Sequence, residues 1–246
     1  MALILLALAP VFIVMVYVYY RDTYEKEPVI LILKGMLLGV IIIFPVGLIE
    51  NYLSSFSKGL SAFSKGAFDG FVVAGATEEL FKLLMVIILF WRNPNFNEKF
   101  DGIVYAVSVA LGFAAIENII YVLSIQSASI GWMRAFTAVP GHAIFGTVMG
   151  FYLGLARFSE NGKMKLILLA FAIPWLMHGF YDFIILSGHQ LLLLLFIPFL
   201  VFMYRDGLKR MRILNNASFF NPNAIRFDEF VENEKKDRKN QNENQL

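Results

Sequence analysis

Two adjacent carboxylates, Glu78 and Glu79, stand four and three residues before Lys82 inside an otherwise apolar stretch. Three other apolar stretches carry Glu117 with Asn118, His142, and His178 with Asp182. A charge near the centre of a bilayer costs at least about 2.5 kcal/mol, so such residues need a reason to be there. Carboxylate and imidazole are the groups that activate water by general acid–base chemistry or bind a metal ion. Spacing refines this. Glu78 and Lys82, Glu117 and Tyr121, and His178 and Asp182 are each four apart, so each pair shares a helix face. Lys82 could neutralise Glu78, and Asp182 could fix the tautomer of His178 as a supporting carboxylate does. Glu79 points about 100° from Glu78 on a helix, which predicts that one of the two is in the site and the other supports it.

The elements that must position these groups are membrane-spanning helices. Apolar runs near the length that crosses a hydrocarbon core recur along the chain. Seven spans are expected, over Leu3–Tyr20, Val29–Tyr52, Ala67–Trp91, Gly102–Leu123, Ala135–Arg157, Leu166–Ser187 and His189–Tyr204. Glu27-Pro28, 54–66, Asn93-Pro94-Asn95, 126–131, Asn161-Gly162 and Ser187-Gly188 read as the connections. The first run lacks a basic leader and a clear cleavage site and is read as a true span. Counted from the span ends, the polar groups on four helices lie at similar depths, roughly 7–17 Å from one face. That shared slab points to one site. Glu50, near the end of its span, reads as interfacial, and His189 as a loop residue. Small residues beside the motifs, among them Gly75, Gly112, Gly141 and Gly146, allow close helix approach or leave room for a substrate.

Composition fits this reading. Of 246 residues, 58% are hydrophobic and 16% charged, against about 25% charged in soluble domains. The mean hydropathy is +0.65. The absence of cysteine excludes disulfides, thiolate catalysis and cysteine-type zinc sites. The fold class expected is all-α, a polytopic helix bundle with residues 1–206 as the membrane domain. Residues 207–246 form a charged tail that begins as a basic juxtamembrane helix (Arg205, Lys209, Arg210, Arg212) and becomes disordered past about Asn215. Arg21, Lys26, Lys34, Arg92, Lys99, Arg157, Lys163 and Lys165 fall on one side, and only Lys58, Lys65 and Arg134 on the other. This predicts an outer N-terminus and a cytoplasmic tail, with the polar slab in the outer half.

The motifs, taken in order, resemble the PrsW family of bacterial intramembrane proteases, a distant relation of the CAAX prenyl protease and bacteriocin-processing group. They are Tyr20-Arg21-Asp22 to Glu25-Lys26-Glu27-Pro28, Glu78-Glu79-Leu80-Phe81-Lys82, the stretch from Gly112 to Tyr121, Gly141-His142-Ala143-Ile144-Phe145-Gly146, and His178-Gly179-Phe180-Tyr181-Asp182. The resemblance implies a hydrolase of the bacterial cytoplasmic membrane that cuts a single-pass membrane protein, such as an anti-sigma factor, near the outer face. No nucleic-acid partner is expected. The resemblance places the catalytic residues at Glu78, Glu79, His142 and His178; Lys82, Glu117, Asn118 and Asp182 are read from their positions as supporting residues. The prenyl protease group has Arg where this chain has Lys82 and Asn where it has Asp182. An Asn can donate to an oxyanion and an ionised Asp cannot, so that role is not carried onto Asp182.

Two mechanisms suit these residues. In one, Glu78 or Glu79 is the general base on a water held by one histidine, while the other histidine donates to the oxyanion. In the other, His142, His178 and a glutamate such as Glu78 hold a catalytic Zn2+. No His-Glu-x-x-His helix occurs to specify zinc, and the metal-free scheme is preferred on sequence. A proton- or ion-coupled transporter is the competing function, weakened by the odd span number, the missing repeat and the one-sided cluster. A non-catalytic receptor or assembly factor would leave the shared slab unexplained.

Overall fold

The structure is a computed structural model that describes residues 2–224. Among these residues there is no strand, and the chain is a bundle of helices. The helices are α1 (Ala2–Arg21), α2 (Val29–Ser54), α3 (Ala62–Phe68), α4 (Thr77–Phe90), α5 (Asp101–Ile125), α6 (Ala128–Phe136), α7 (Ala138–Arg157), α8 (Lys163–Leu186) and α9 (Gln190–Asn216). A short 3-10 turn follows α2, and a π-helical segment, Asp69–Ala76, joins α3 to α4 without a break. Helices satisfy every backbone N–H and C=O internally, which lipid requires of a spanning segment.

Six helical stretches are long and apolar enough to cross a membrane: α1, α2, α5, α6 with α7, α8 and α9. The other expected span, Ala67–Trp91, is the continuous helical run over 62–90, in which α, π and α geometry succeed one another. The centre of the bundle is α5 against α7. The apolar windows of these stretches are 78% and 83% buried, against 28%, 33% and 17% for α1, α2 and α9, which leaves the latter three to face lipid. Glycines set the central contact. A Cβ on Gly150 would come within 2.5 Å of the Ile103 Cα, so only glycine lets α7 lie this close to α5.

The expected span Ala135–Arg157 is broken near its start. Pro140 has no N–H for the Phe136 carbonyl, and its ring crowds that carbonyl, so α6 ends and α7 begins at a bend. The freed Phe136 carbonyl accepts instead from the Tyr204 hydroxyl at 2.8 Å. Pro198, by contrast, does not end α9, which continues to Asn216. The boundary expected at residue 206 therefore falls within a helix. Met211, Ile213 and Leu214 are buried, Asn215 bonds Thr23, and the Ser218 hydroxyl donates to Glu98. These contacts gather the loops at 22–28 and 91–100 and the end of α9 at one end of the bundle. The expected disorder of the tail concerns mainly residues 225–246, which lie outside the described residues.

Candidate active site

The π-helical segment leads directly into Thr77, Glu78 and Glu79. Such segments widen a helix and leave carbonyls without their usual intrahelical donor, and they recur at functional sites. Here the Phe71 carbonyl accepts from the indole N–H of Trp175 at 2.6 Å, which ties the segment to α8. Gly75 and Gly179 let the two elements approach closely. The carboxylate pair on α4 is thereby set against the histidine on α8.

Lys82 lies at the centre of the cluster. Its ammonium donates to Glu78 Oε2 at 2.9 Å, Glu79 Oε1 at 2.8 Å and His142 Nδ1 at 3.1 Å. It also sits over the Phe113 ring, 4.5 Å from the centroid. Glu78 and Glu79 do not divide into one residue in the site and one beside it, as their 100° separation predicts. Lys82 is four residues from one and three from the other, and its long side chain draws both carboxylates to a single point.

Each histidine is held from both sides. The Nε2 of His142 meets Glu117 Oε2 at 2.8 Å, and the Nε2 of His178 meets Asp182 Oδ2 at 3.3 Å. Lys82 can only donate, so His142 accepts at Nδ1 and donates from Nε2 to Glu117. His178 Nδ1 lies 2.9 Å from Glu79 Oε1, and Phe145 stacks on its ring at 4.8 Å. Glu78 Oε2 is 3.9 Å from His142 Nδ1 and 4.0 Å from His178 Nδ1. These gaps are too long for hydrogen bonds. Two ligands each about 2 Å from one tetrahedral ion lie about 3.3 Å apart, so a bound ion would draw Glu78 and both rings slightly closer together.

Glu78, Glu79, His142 and His178 are all buried, and each offers a ligand atom within 4.8 Å of the others. Two carboxylates and two imidazoles suit a zinc-type ion. The Lys82 ammonium, bonded to three of the four, is a cation already seated among them. The site therefore fits a metal ion. Glu117 and Asp182 supply the carboxylate behind each histidine that metal sites use to orient their ligands.

Asn118 stands outside the cluster. It donates to the Ala7 carbonyl at 2.8 Å and accepts from Arg134 at 2.7 Å, so it ties α1, α5 and α6 together. Arg134 was a loop charge by sequence. It is buried, pairs with Glu117 at 2.9 Å, and lies 4.1 Å from the centroid of the Tyr121 ring. Its signal in the sequence was an isolated arginine between Trp132-Met133 and Ala135-Phe136. Glu50 faces the same site, within electrostatic reach of Glu78, Glu117, His178 and Lys82, with a buried oxygen lacking a donor. Of the small residues, Gly146 serves packing, since a Cβ there would lie 3.0 Å from the Val107 Cα. Gly141, next to His142, is less crowded: a Cβ there would meet the Phe145 and Tyr181 rings at 3.9–4.0 Å, in ordinary contact.

A polytopic helical bundle with glutamates and histidines gathered in its interior carries the groups that can activate water or hold a metal ion inside a membrane. The chain belongs to the PrsW family of intramembrane metalloproteases, whose model matches residues 27–204. Protease PrsW of Bacillus subtilis (strain 168) is 36% identical over 212 residues, 86% of this chain and 94% of that protein. Protease PrsW of Oceanobacillus iheyensis is 35% identical over 214 residues, 87% of this chain and 96% of that protein. Protease PrsW of Clostridioides difficile (strain 630) is 34% identical over 221 residues, 88% of this chain and 92% of that protein. No solved structure matches the chain. The protein is thus an integral membrane hydrolase of the bacterial cell.

Proposed function

We propose that this intramembrane protease cuts a single-pass membrane protein of the anti-sigma-factor kind near the outer face of the membrane, using a Zn2+ held by Glu78, His142 and His178, with Glu79 as general base. The observation that carries the reading is the convergence of Glu78, Glu79, His142 and His178, all buried and each with a ligand atom within 4.8 Å of the others. Both histidines present the same ring nitrogen to one carboxylate oxygen, while the opposite nitrogen is taken by Glu117 or Asp182. The metal-free scheme has less support, because the family to which the chain belongs is one of metalloproteases.

When bound, the ion lowers the pKa of a water and polarises the scissile carbonyl. The residues of the chain do the rest. Glu79, held by Lys82 and His178, takes the proton of the attacking water and passes it to the leaving nitrogen. Its Oε2 is buried without a donor and is free for that proton. Lys82 offsets the charge of two buried carboxylates, and Glu117 and Asp182 fix the two rings.

The test is co-expression with a tagged anti-sigma factor from the same genome, with the tag followed by size and the metal content of purified protein measured in parallel. The intact protein shortens the substrate and carries about one zinc per chain, as a single catalytic site requires. Glu79→Gln keeps the zinc and loses cutting. Glu78→Gln and His178→Ala lose both. Zinc retained in Glu78→Gln would remove it as a ligand, and cutting that persists in all three variants would place the reaction elsewhere.

A further inference from the structure

The other end of the bundle carries a second concentration of acid. Asp22, Glu27, Glu98 and Asp101 are each at most 1% exposed, and Glu25 is partly buried beside them. A carboxylate oxygen from each of Glu25, Glu27 and Asp101 lies within 4.8 Å of one from each of the others. This group is remote from the protease cluster. Asp101 and Glu117 sit sixteen residues apart on α5, roughly 24 Å along the helix.

The chain holds one oxygen of Glu25, Glu27 and Asp101 in place and leaves the other bare. Asp101 Oδ2 accepts the backbone N–H of Asn97 at 2.9 Å and of Glu98 at 2.7 Å. Glu27 Oε2 accepts from the Tyr105 hydroxyl, and Glu25 from the Asn97 side chain. Glu25 Oε2, Glu27 Oε1 and Asp101 Oδ1 are buried with no donor. Asp22, which faces Glu98, Glu27 and Glu25, has neither oxygen partnered. Lys26 and Lys99 lie within reach, the first near Asp22 and the second near Glu98. The Lys26 ammonium is bonded to the carbonyls of Tyr19 and Asp22 rather than to a carboxylate. Five acids thus face two lysines. Like charges gathered in a buried pocket repel, and buried oxygens without donors are costly.

We propose that Glu25, Glu27 and Asp101, with Asp22 beside them, form a second cation site, for a hard divalent ion such as Mg2+ or Ca2+. Every donor is an oxygen, which selects a hard ion over zinc. The ion clamps the loop after α1 to the loop before α5. The adjacent Glu98 carries the clamp to Ser218, just beyond α9. The site is structural and independent of the protease chemistry.

The experiment uses full-length protein in detergent, stripped with EDTA and titrated with Tb3+ under tyrosine excitation, Tyr105 being bonded to Glu27 and serving as the antenna. Intact protein and Glu78→Gln give Tb3+ emission that Mg2+ or Ca2+ displaces. Asp101→Asn and Glu27→Gln weaken it at least tenfold, a loss of about 1.4 kcal/mol or more in binding. Glu25→Gln, at a partly exposed position, provides a variant expected to fold, and it too weakens the emission. In parallel, Mg2+ raises the melting temperature of the intact protein and not of these variants. Absent emission from the intact protein, or emission undiminished in all three cluster variants, would overturn the site.

Discussion

At the residue scale the decisive contacts are charged groups meeting inside a low-dielectric bundle. Arg134 and Glu117 are the clearest case, since the carboxylate also orients His142. Removing one partner of a buried pair leaves the other uncompensated, which costs about 3–5 kcal/mol, whereas removing both is far milder. Arg134→Met is therefore expected to lower the melting temperature sharply. The double variant Arg134→Met/Glu117→Met should recover most of the loss while staying inactive, because His142 has lost its orienting carboxylate. Equal melting temperatures for the single variant and the intact protein would show that the pair does not carry the fold. The sequence announced Glu78, Glu79, His142 and His178 because charge inside an apolar run is conspicuous. It did not announce Arg134, because a lone arginine near a span end reads like any other loop charge until the helix that buries it is seen.

At the element scale the π-helical segment is what aims Glu78 and Glu79. Its Phe71 carbonyl accepts from the Trp175 N–H, which ties the segment to α8. Trp175→Phe keeps an aromatic ring and removes the donor of this part-buried bond, a loss of about 0.5–1.5 kcal/mol. The expected result is a lower melting temperature together with slower substrate cutting, while Trp91→Phe, away from the segment, changes neither. Slower cutting with no thermal change would mean that the bond positions the site without holding it together. Hydrophobic runs located most of the helices within a few residues because they mark the length of a crossing, but α9 runs twelve residues past the expected end at Tyr204, where polar residues replace apolar ones. They could not reveal the π segment over Asp69–Ala76, since the same small and apolar residues suit ordinary helix. The bend at Pro140 was readable in principle, but the partner that makes it tolerable, Tyr204, lies 68 residues from Phe136.

At the scale of the whole molecule, the bundle has two acidic centres roughly a membrane thickness apart, and the second one makes stability depend on pH. Asp22 is pushed up to about 8, by burial first and by Glu98 next. Burial likewise pushes Glu27 up to about 7. Unfolded carboxyls titrate near about 4, so between these values the folded chain holds protons that the unfolded chain has released. In EDTA this stabilisation is complete below about pH 4 and is lost as pH rises through about 8. Melting temperatures should accordingly fall between about pH 5 and about pH 8 in EDTA. Mg2+ should flatten the fall, because deprotonated carboxylates bind it. An identical slope with and without Mg2+ would leave the acids to protons alone.

The position of Lys82 has a consequence for how the molecule is made. Its two carboxylate partners lie on its own helix, so their pairing is complete as soon as that helix forms. His142 emerges sixty residues later, and His178 is ninety-nine residues beyond Glu79. The growing chain can hand this helix to the bilayer with its opposite charges already joined, long before a cutting centre exists. A chain whose synthesis stops early carries glutamates and a lysine but no imidazole to complete the set. With the site proposed above, unfinished copies left in a membrane full of potential substrates would be inert, and reactivity would arrive only with the last third of translation.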